Sequence, residues 1–249
     1  MDSVLELYET KFDPEDYLDE YYKELDPEVE FFLYNLHKVF EELKPLNAAI
    51  MEIGCGPTIT SVLSASKWSS NIFMTDFLQR NIATVDSFLK STRKSNRWIP
   101  YMEAVAQMEK CSCADVEDRL LKSVKYIGHC NVFKTNPVPD IGIKFEILIS
   151  TLCLEFISKN EEDYVAALMN LKHLLKPNGT IILQGALNNS YYKIKDQEFS
   201  SIRLNEEKLR EYINKAGFQI SSFKSAERIC NSNKKADHEG IFFVQAEVI

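Results

Sequence analysis

The chain has 249 residues, 45% of them apolar, which suffices for a substantial buried core in one large domain or two small ones. Its 29 basic residues against 37 acidic ones give a net charge of −8, which repels nucleic acid and anionic lipid and leaves small neutral or cationic molecules as better partners. The longest apolar run, Phe145 to Ile157, is interrupted by Glu146 and Glu155 and is too short to cross a bilayer; an N-terminus carrying Asp2, Glu6, Glu9 and Asp13 is no secretory signal. The expectation is a cytoplasmic protein.

Taken in chain order, Pro14 to Leu25 reads as a short helix. Pro27 to Lys44 reads as a longer one, with Val29, Phe32, Leu33, Leu36, Val39, Phe40 and Leu43 at helical spacing. From Ala48 strand-like and helix-like segments alternate: a strand at Ala49–Ile53, a helix from Pro57, a strand at Ile72–Asp76, a helix around Asn81–Ser91 and a polar helical stretch near Met102–Lys125. Strands at Ile127–Phe133 and Glu146–Ser150, a helix at Asp163–Leu175 and a strand at Thr180–Ala186 follow. This βαβ repetition implies an α/β fold on a parallel sheet with right-handed crossovers. Lys176 to Gly179 reads as a turn. The tail reads as a helix at Asn205–Ala216 stopped by Gly217, then strands at Phe218–Phe223 and Ile241–Glu247. Arg93 to Asn96 and Cys230 to Asp237 read as polar loops. No linker or repeat divides the chain, so the expectation is one domain over 1–249, with a helical cap at 1–45 and a core at 46–249. The cysteines Cys55, Cys111, Cys113, Cys130, Cys153 and Cys230 are scattered without metal or redox spacing, and the four histidines show none either.

The most informative stretch is Met51 to Thr58, an apolar strand running into a glycine turn. Asp76 closes the next strand 20 residues after Gly56, the spacing at which a carboxylate reaches ribose hydroxyls. Where a dinucleotide turn carries its third glycine, this chain has Ile59, and Pro57 removes an N–H that a pyrophosphate needs. The pattern therefore favours a nucleoside ligand without pyrophosphate and disfavours a nucleotide-dependent oxidoreductase.

Several collinear stretches together resemble the small-molecule amine N-methyltransferases, the family of the nicotinamide, phenylethanolamine and indolethylamine N-methyltransferases. They are Phe12 to Leu18 with Tyr21 and Tyr22, Gly54 to Ile59, Thr75 to Phe77 with Asn81, Cys130 to Val132, Ser150 to Glu155, Leu174 to Gly179, Ala186 to Tyr192, Phe199 to Ser201 and His238 to Gly240. The resemblance implies a Rossmann-like class I methyltransferase: a seven-stranded, mostly parallel sheet with an antiparallel last strand and an N-terminal helical cap. It implies S-adenosyl-L-methionine as cofactor, with Gly54 at its methionine part, Asp76 and Asn81 at the ribose, Asn131 and Val132 flanking the adenine, Thr151 at a strand end, and Cys55 and Phe77 among the other cofactor-binding residues. Tyr17 and Tyr22 would close over it from the cap, and Thr60 stands where the family has a tyrosine.

The same resemblance points to Asn189, Ser201 and Asp237 as acceptor-binding groups. Gly185 stands where nicotinamide-methylating members have Asp, Asn189 where phenylethanolamine-methylating members have Glu, and Asp237 matches another acid of the latter. The implied activity is methyl transfer to the nitrogen of a small amine or N-heteroaromatic by a monomer, with no nucleic-acid or membrane partner. Nicotinamide methylation specifically is one alternative. A catalytically silent cofactor-binding protein, suggested by Gly185 and Asn189, is another.

Overall fold

The structure, a computed structural model, describes residues 3–91, 96–228 and 235–249. The polar loops read at Arg93 to Asn96 and Cys230 to Asp237 lie largely outside the described residues. The chain divides into two units, Asp13–His129 and Met1–Phe12 with Cys130–Ile249. Helix α1 (Ser3–Lys11), which the sequence reading does not include, opens the chain and groups with the C-terminal residues.

In the unit Asp13–His129, helices α2 (Pro14–Tyr21) and α3 (Pro27–Leu43) each begin with an aspartate followed by proline. The Asp13 carboxylate accepts from the Asp16 N–H at 2.9 Å and that of Asp26 from the Glu28 N–H at 2.8 Å, while proline sits where no N–H is needed. Because Asp26 must be extended (φ −80°, ψ 142°) to cap α3, α2 ends before the expected Leu25. Strand β1 (Ile50–Ile53) pairs in parallel with β2 (Ile72–Asp76), Ile53 opposite Thr75.

No α-helix follows Pro57, which corrects the sequence reading. Two 3-10 turns, Thr60–Val62 and Ala65–Lys67, take its place. The segment is rich in β-branched and hydroxyl residues, and the Thr58 and Ser66 hydroxyls take the carbonyls of Cys55 and Leu63 that a helix would use. Arg119 clamps the segment, donating to the Ser66 hydroxyl at 3.0 Å and pairing with buried Glu109. Helix α4 (Gln79–Lys90) follows β2. The expected helical stretch at 102–125 is two helices, α5 (Ile99–Glu109) and α6 (Cys113–Ser123), broken at Lys110 (φ 58°) and restarted by a reciprocal Ser112–Asp115 cap. Strand β3 (Val124–His129) pairs in parallel with β2.

The expected strand Ile127–Phe133 stops at His129, because the Asn131 carboxamide accepts from the Phe133 N–H at 3.0 Å and turns the chain. The second unit then runs β4 (Phe145–Thr151), α7 (Leu154–Ile157), α8 (Glu161–Lys172), β5 (Leu175–Leu187), β6 (Tyr191–Ile194), β7 (Gln197–Ser200), α9 (Glu206–Lys215), β8 (Phe218–Glu227) and β9 (Gly240–Val248). Strands β4 and β5 are parallel, and β9 runs antiparallel to both β5 and β8. Hairpin β6–β7, also not read from the sequence, is covered by α1. There the Tyr8 ring lies 4.8 Å from Phe199, the Tyr192 ring lies 5.1 Å from Phe199, and the Tyr8 and Tyr192 hydroxyls share a 3.0 Å hydrogen bond.

The sheet order is β3-β2-β1-β4-β5-β9-β8, a seven-stranded sheet with its last strand antiparallel. Among the described residues no helix is long and apolar enough to cross a membrane.

Candidate functional site

Gly54 (φ 67°) and Gly56 (φ 58°) hold the turn after β1 in the left-handed region, which only glycine enters without strain. The Cys55 N–H bonds the Thr75 carbonyl at 2.9 Å, tying the turn to β2, and the Gly56 N–H donates to Asp76 Oδ2 at 2.8 Å. Asp76 Oδ1 accepts from the Leu78 N–H at 2.8 Å and from Asn81 Nδ2 at 3.1 Å. Burial pushes this carboxyl up from its ordinary value while those three donors pull it down. Two backbone donors and an amide thus hold the acid in one orientation at the strand end, and the turn faces open space, since a Cβ on Gly56 would meet no atom within 4 Å.

Tyr22 of the α2 cap adds a buried polar cluster to the same unit. Burial pushes its phenol up to about 12, although the Tyr17, Thr60 and Thr58 hydroxyls hydrogen-bond it, and the charge of Glu52 on β1 adds to the rise. The Tyr17 and Tyr22 rings lie 5.7 Å apart, and Tyr101 fixes the chain beyond them through its hydroxyl on the Glu24 carbonyl at 2.9 Å. Phe77 stacks near His129 at 5.4 Å, and His129 Nδ1 lies 3.0 Å from the Phe77 carbonyl oxygen. Eight of the expected cofactor residues, Tyr17, Tyr22, Gly54, Cys55, Thr60, Asp76, Phe77 and Asn81, therefore belong to this unit. Glu52 Oε2 and Asn81 Oδ1 are buried there without a hydrogen-bond partner among the described residues.

Asn131, Val132 and Thr151 belong to the other unit. The Asn131 N–H bonds the Pro137 carbonyl at 2.9 Å, the Val132 carbonyl accepts from Asn170 Nδ2 at 2.9 Å, and the Thr151 hydroxyl bonds Gln184 Oε1 at 2.9 Å.

The acceptor candidates lie in this second unit, and one acid among them has no role in the sequence reading. Glu155 on α7 is 2% exposed, with Oε1 accepting from the Ala186 N–H at 3.0 Å. A Cβ on Gly185 would stand 2.2 Å from that oxygen and 2.6 Å from Phe242 Cε1. The glycine that deprives position 185 of a carboxylate thus makes room for the carboxylate of Glu155. Burial pushes the Glu155 carboxyl up to about 7 against the pull of its own N–H and that of Ala186. The signal that could have found it is the charge breaking the apolar run from Phe145 to Ile157.

Asn189 is 1% exposed, and both Nδ2 and Oδ1 lack partners among the described residues. Its neighbours fix the loop. The Asn188 N–H bonds the Leu204 carbonyl at 2.8 Å, and Ser190 donates its N–H and hydroxyl to Asp237 at 2.7 and 2.6 Å. Asp237 also accepts from the Tyr191 N–H at 3.3 Å and from Arg203 Nη2 at 3.0 Å. Burial raises its carboxyl, but Ser190, the two amides and Arg203 together hold it below the ordinary range. Asp237 is engaged by the protein on both oxygens. Ser201 donates its N–H to the Ser190 carbonyl at 2.8 Å and keeps its hydroxyl half-exposed near the Ile202 carbonyl at 3.3 Å.

A sequence profile described as the NNMT/PNMT/TEMT family matches residues 4–248. The nicotinamide N-methyltransferase of Homo sapiens is 31% identical over 248 residues, covering 96% of this chain and 94% of that protein. The indolethylamine N-methyltransferase of Oryctolagus cuniculus is 29% identical over 248 residues, with the same coverage of 96% and 94%. Among solved structures, magnesium protoporphyrin IX methyltransferase from Synechocystis PCC 6803 with bound SAH superposes with a TM-score of 0.61 at 8% identity, covering 98% of this chain and 97% of that one. That likeness concerns the fold.

Proposed function

We propose, from the premise that this chain belongs to the NNMT/PNMT/TEMT family, that it methylates the nitrogen of a small amine or N-heteroaromatic, with amines favoured over nicotinamide. It is an S-adenosylmethionine-dependent methyltransferase. The observation that carries the reading is Asp76, a buried carboxylate held by the Gly56 and Leu78 amides and by Asn81 at the end of β2. The residues fit the cofactor: Glu52 Oε2 and Asn81 Oδ1 are orphaned polar atoms beside a glycine turn open to a ligand.

When bound, the cofactor would supply an electrophilic methyl group on a sulfonium, open to in-line attack by a neutral nitrogen with the thioether as leaving group. The protein's share is alignment and exclusion of water. Asp76 and Asn81 would hold the ribose, Gly54 and Cys55 would give close backbone approach, and Asn131 and Val132 would flank the adenine. Tyr17, Tyr22, Thr60, Phe77 and Thr151 are the other residues that would contact it.

On the acceptor side an amine must lose its proton before attack. The Glu155 carboxyl, titrating near 7, is matched to pair with the ammonium and take that proton at neutral pH. Asn189 offers a free donor and a free acceptor for the acceptor's polar group, and Ser201 offers a hydroxyl. Asp237 acts by holding the Ser190–Tyr191 loop and Arg203 rather than by meeting the acceptor. The reading extends to a cytoplasmic monomer without a nucleic-acid partner, supported by the net charge of −8.

Calorimetry with the cofactor and its demethylated product tests the carrying observation. Asp76→Ala loses a charge-assisted acceptor worth about 1.5–3 kcal/mol, an affinity loss of roughly 10- to 150-fold. Unchanged affinity in the folded variant would remove Asp76 from the site.

A further inference from the structure

Glu52 takes no part in the chemistry above, yet among the described residues it is the most buried acid of its unit. It lies on β1 two residues before Gly54 and is 1% exposed. Ser61 hydrogen-bonds its carboxyl, and Oε2 has no partner among the described residues. The groups acting on it come from three elements: Ser61 from the 3-10 turn and Asp76 from β2, with the Tyr22 phenol from α2 feeling its charge. Thr58, Thr60 and Tyr17 bring only neutral hydroxyls to Tyr22. None of these supplies a positive charge. Burial and the neighbouring Asp76 push the Glu52 carboxyl up to about 8, so at neutral pH it holds its proton. A buried carboxylate becomes favourable only beside a cation.

We propose that Glu52 is the charge partner of the cationic methyl donor, giving its proton to solvent when S-adenosylmethionine binds and keeping it when S-adenosylhomocysteine binds. The two ligands share the α-ammonium and differ in the sulfonium, so their difference isolates the charge that Glu52 answers. Binding of the donor then releases one proton to buffer. Methyl transfer removes the positive charge from sulfur, and Glu52 takes a proton back from solvent as the product forms. This inference rests on the reading of the Asp76 half as the cofactor site.

The test is calorimetry of the full chain with each ligand between pH 6 and 8, in buffers of different ionisation enthalpy. The expected result is up to one more proton released with the donor than with the product, and a donor-to-product affinity ratio that rises toward tenfold per pH unit below pH 8. Glu52→Gln should abolish both the extra proton and the slope. A flat ratio in the wild-type protein overturns the inference, as does a Glu52→Gln variant that weakens both ligands equally and keeps the slope, the mark of a purely structural role. If Glu52→Gln does not fold, the wild-type buffer series decides, with Glu52→Asp as the second variant. Failure of both ligands to bind would instead overturn the cofactor reading itself.

Discussion

Glu155→Gln separates proton acceptance from packing. Glutamine has the same shape and keeps an oxygen for the Ala186 N–H that Glu155 Oε1 accepts at 3.0 Å, so the space beside Gly185 stays filled. What disappears is the ability to take a proton. A rise of the carboxyl from 4.5 to about 7 corresponds to about 3 kcal/mol at about 1.4 kcal/mol per unit, the cost of its buried charge without a partner. An ammonium acceptor offsets that cost, and a neutral ring nitrogen does not. For amines, loss of the base should lower kcat/KM by at least about 100-fold, the lower end of general-base effects. For pyridine-type acceptors the loss should stay within about fivefold. The wild-type pH profile with amines should show an acidic limb near 7, which the variant lacks. Steady-state kinetics on both acceptor classes over pH 5.5 to 9 reads all of this. Equal losses for both classes, or a limb that survives the substitution, would refute the assignment.

Asp237→Asn should cost about 1–3 kcal/mol of stability in denaturant unfolding, because it weakens the pairing with Arg203 and the hold on the Ser190–Tyr191 loop. Its effect on kcat/KM should be alike for amines and heteroaromatics; a loss confined to amines would make Asp237 their direct partner. Asn189→Leu should stabilise the ligand-free protein by about 1–2 kcal/mol, since it removes two unsatisfied buried atoms, while lowering kcat/KM at least about tenfold. Destabilisation on unfolding would mean the amide has a partner within the protein. Finally, Glu52 and Glu155 are both raised above 4.5, to about 8 and about 7. In that window the folded state keeps protons that the unfolded chain has released, so their stabilising share is complete below pH 4.5 and is lost as pH rises through 7 to 8. Relative to Glu→Gln variants, the ligand-free wild type should lose on the order of 3–5 kcal/mol for each acid across that range, and parallel stability curves would refute the shifts.

Much of the fold was legible because it depends on local signals. Prolines behind aspartates mark α2 and α3, short apolar stretches such as Ile72–Met74, Ile147–Ile149 and Ile181–Leu183 mark β2, β4 and β5, and Gly217 at φ 85° ends α9. The segment after Pro57 misled because proline suits a helix start, whereas the hydroxyls of Thr58 and Ser66 draw away the carbonyls a helix needs. Hairpin β6–β7 escaped because Lys195, at φ 51°, turns the chain without the usual glycine or asparagine, and α1, whose Tyr8 packs on Phe199 of that hairpin, escaped with it. At the site, the glycine turn and Asp76 are written as a spacing and were readable. The role proposed for Glu155 was not, because the charge that breaks the apolar run marks the residue but not its 2.2 Å relation to a side chain that position 185 lacks.

The measurement that tests the central claim most directly is transfer of an isotopically labelled methyl group from S-adenosylmethionine to a panel of primary amines, secondary amines and pyridines including nicotinamide, with mass spectrometry locating the label. The account predicts label on nitrogen, one S-adenosylhomocysteine formed per methyl transferred, and higher kcat/KM for amines than for nicotinamide. A chain that binds S-adenosylmethionine yet labels no member of the panel would contradict it.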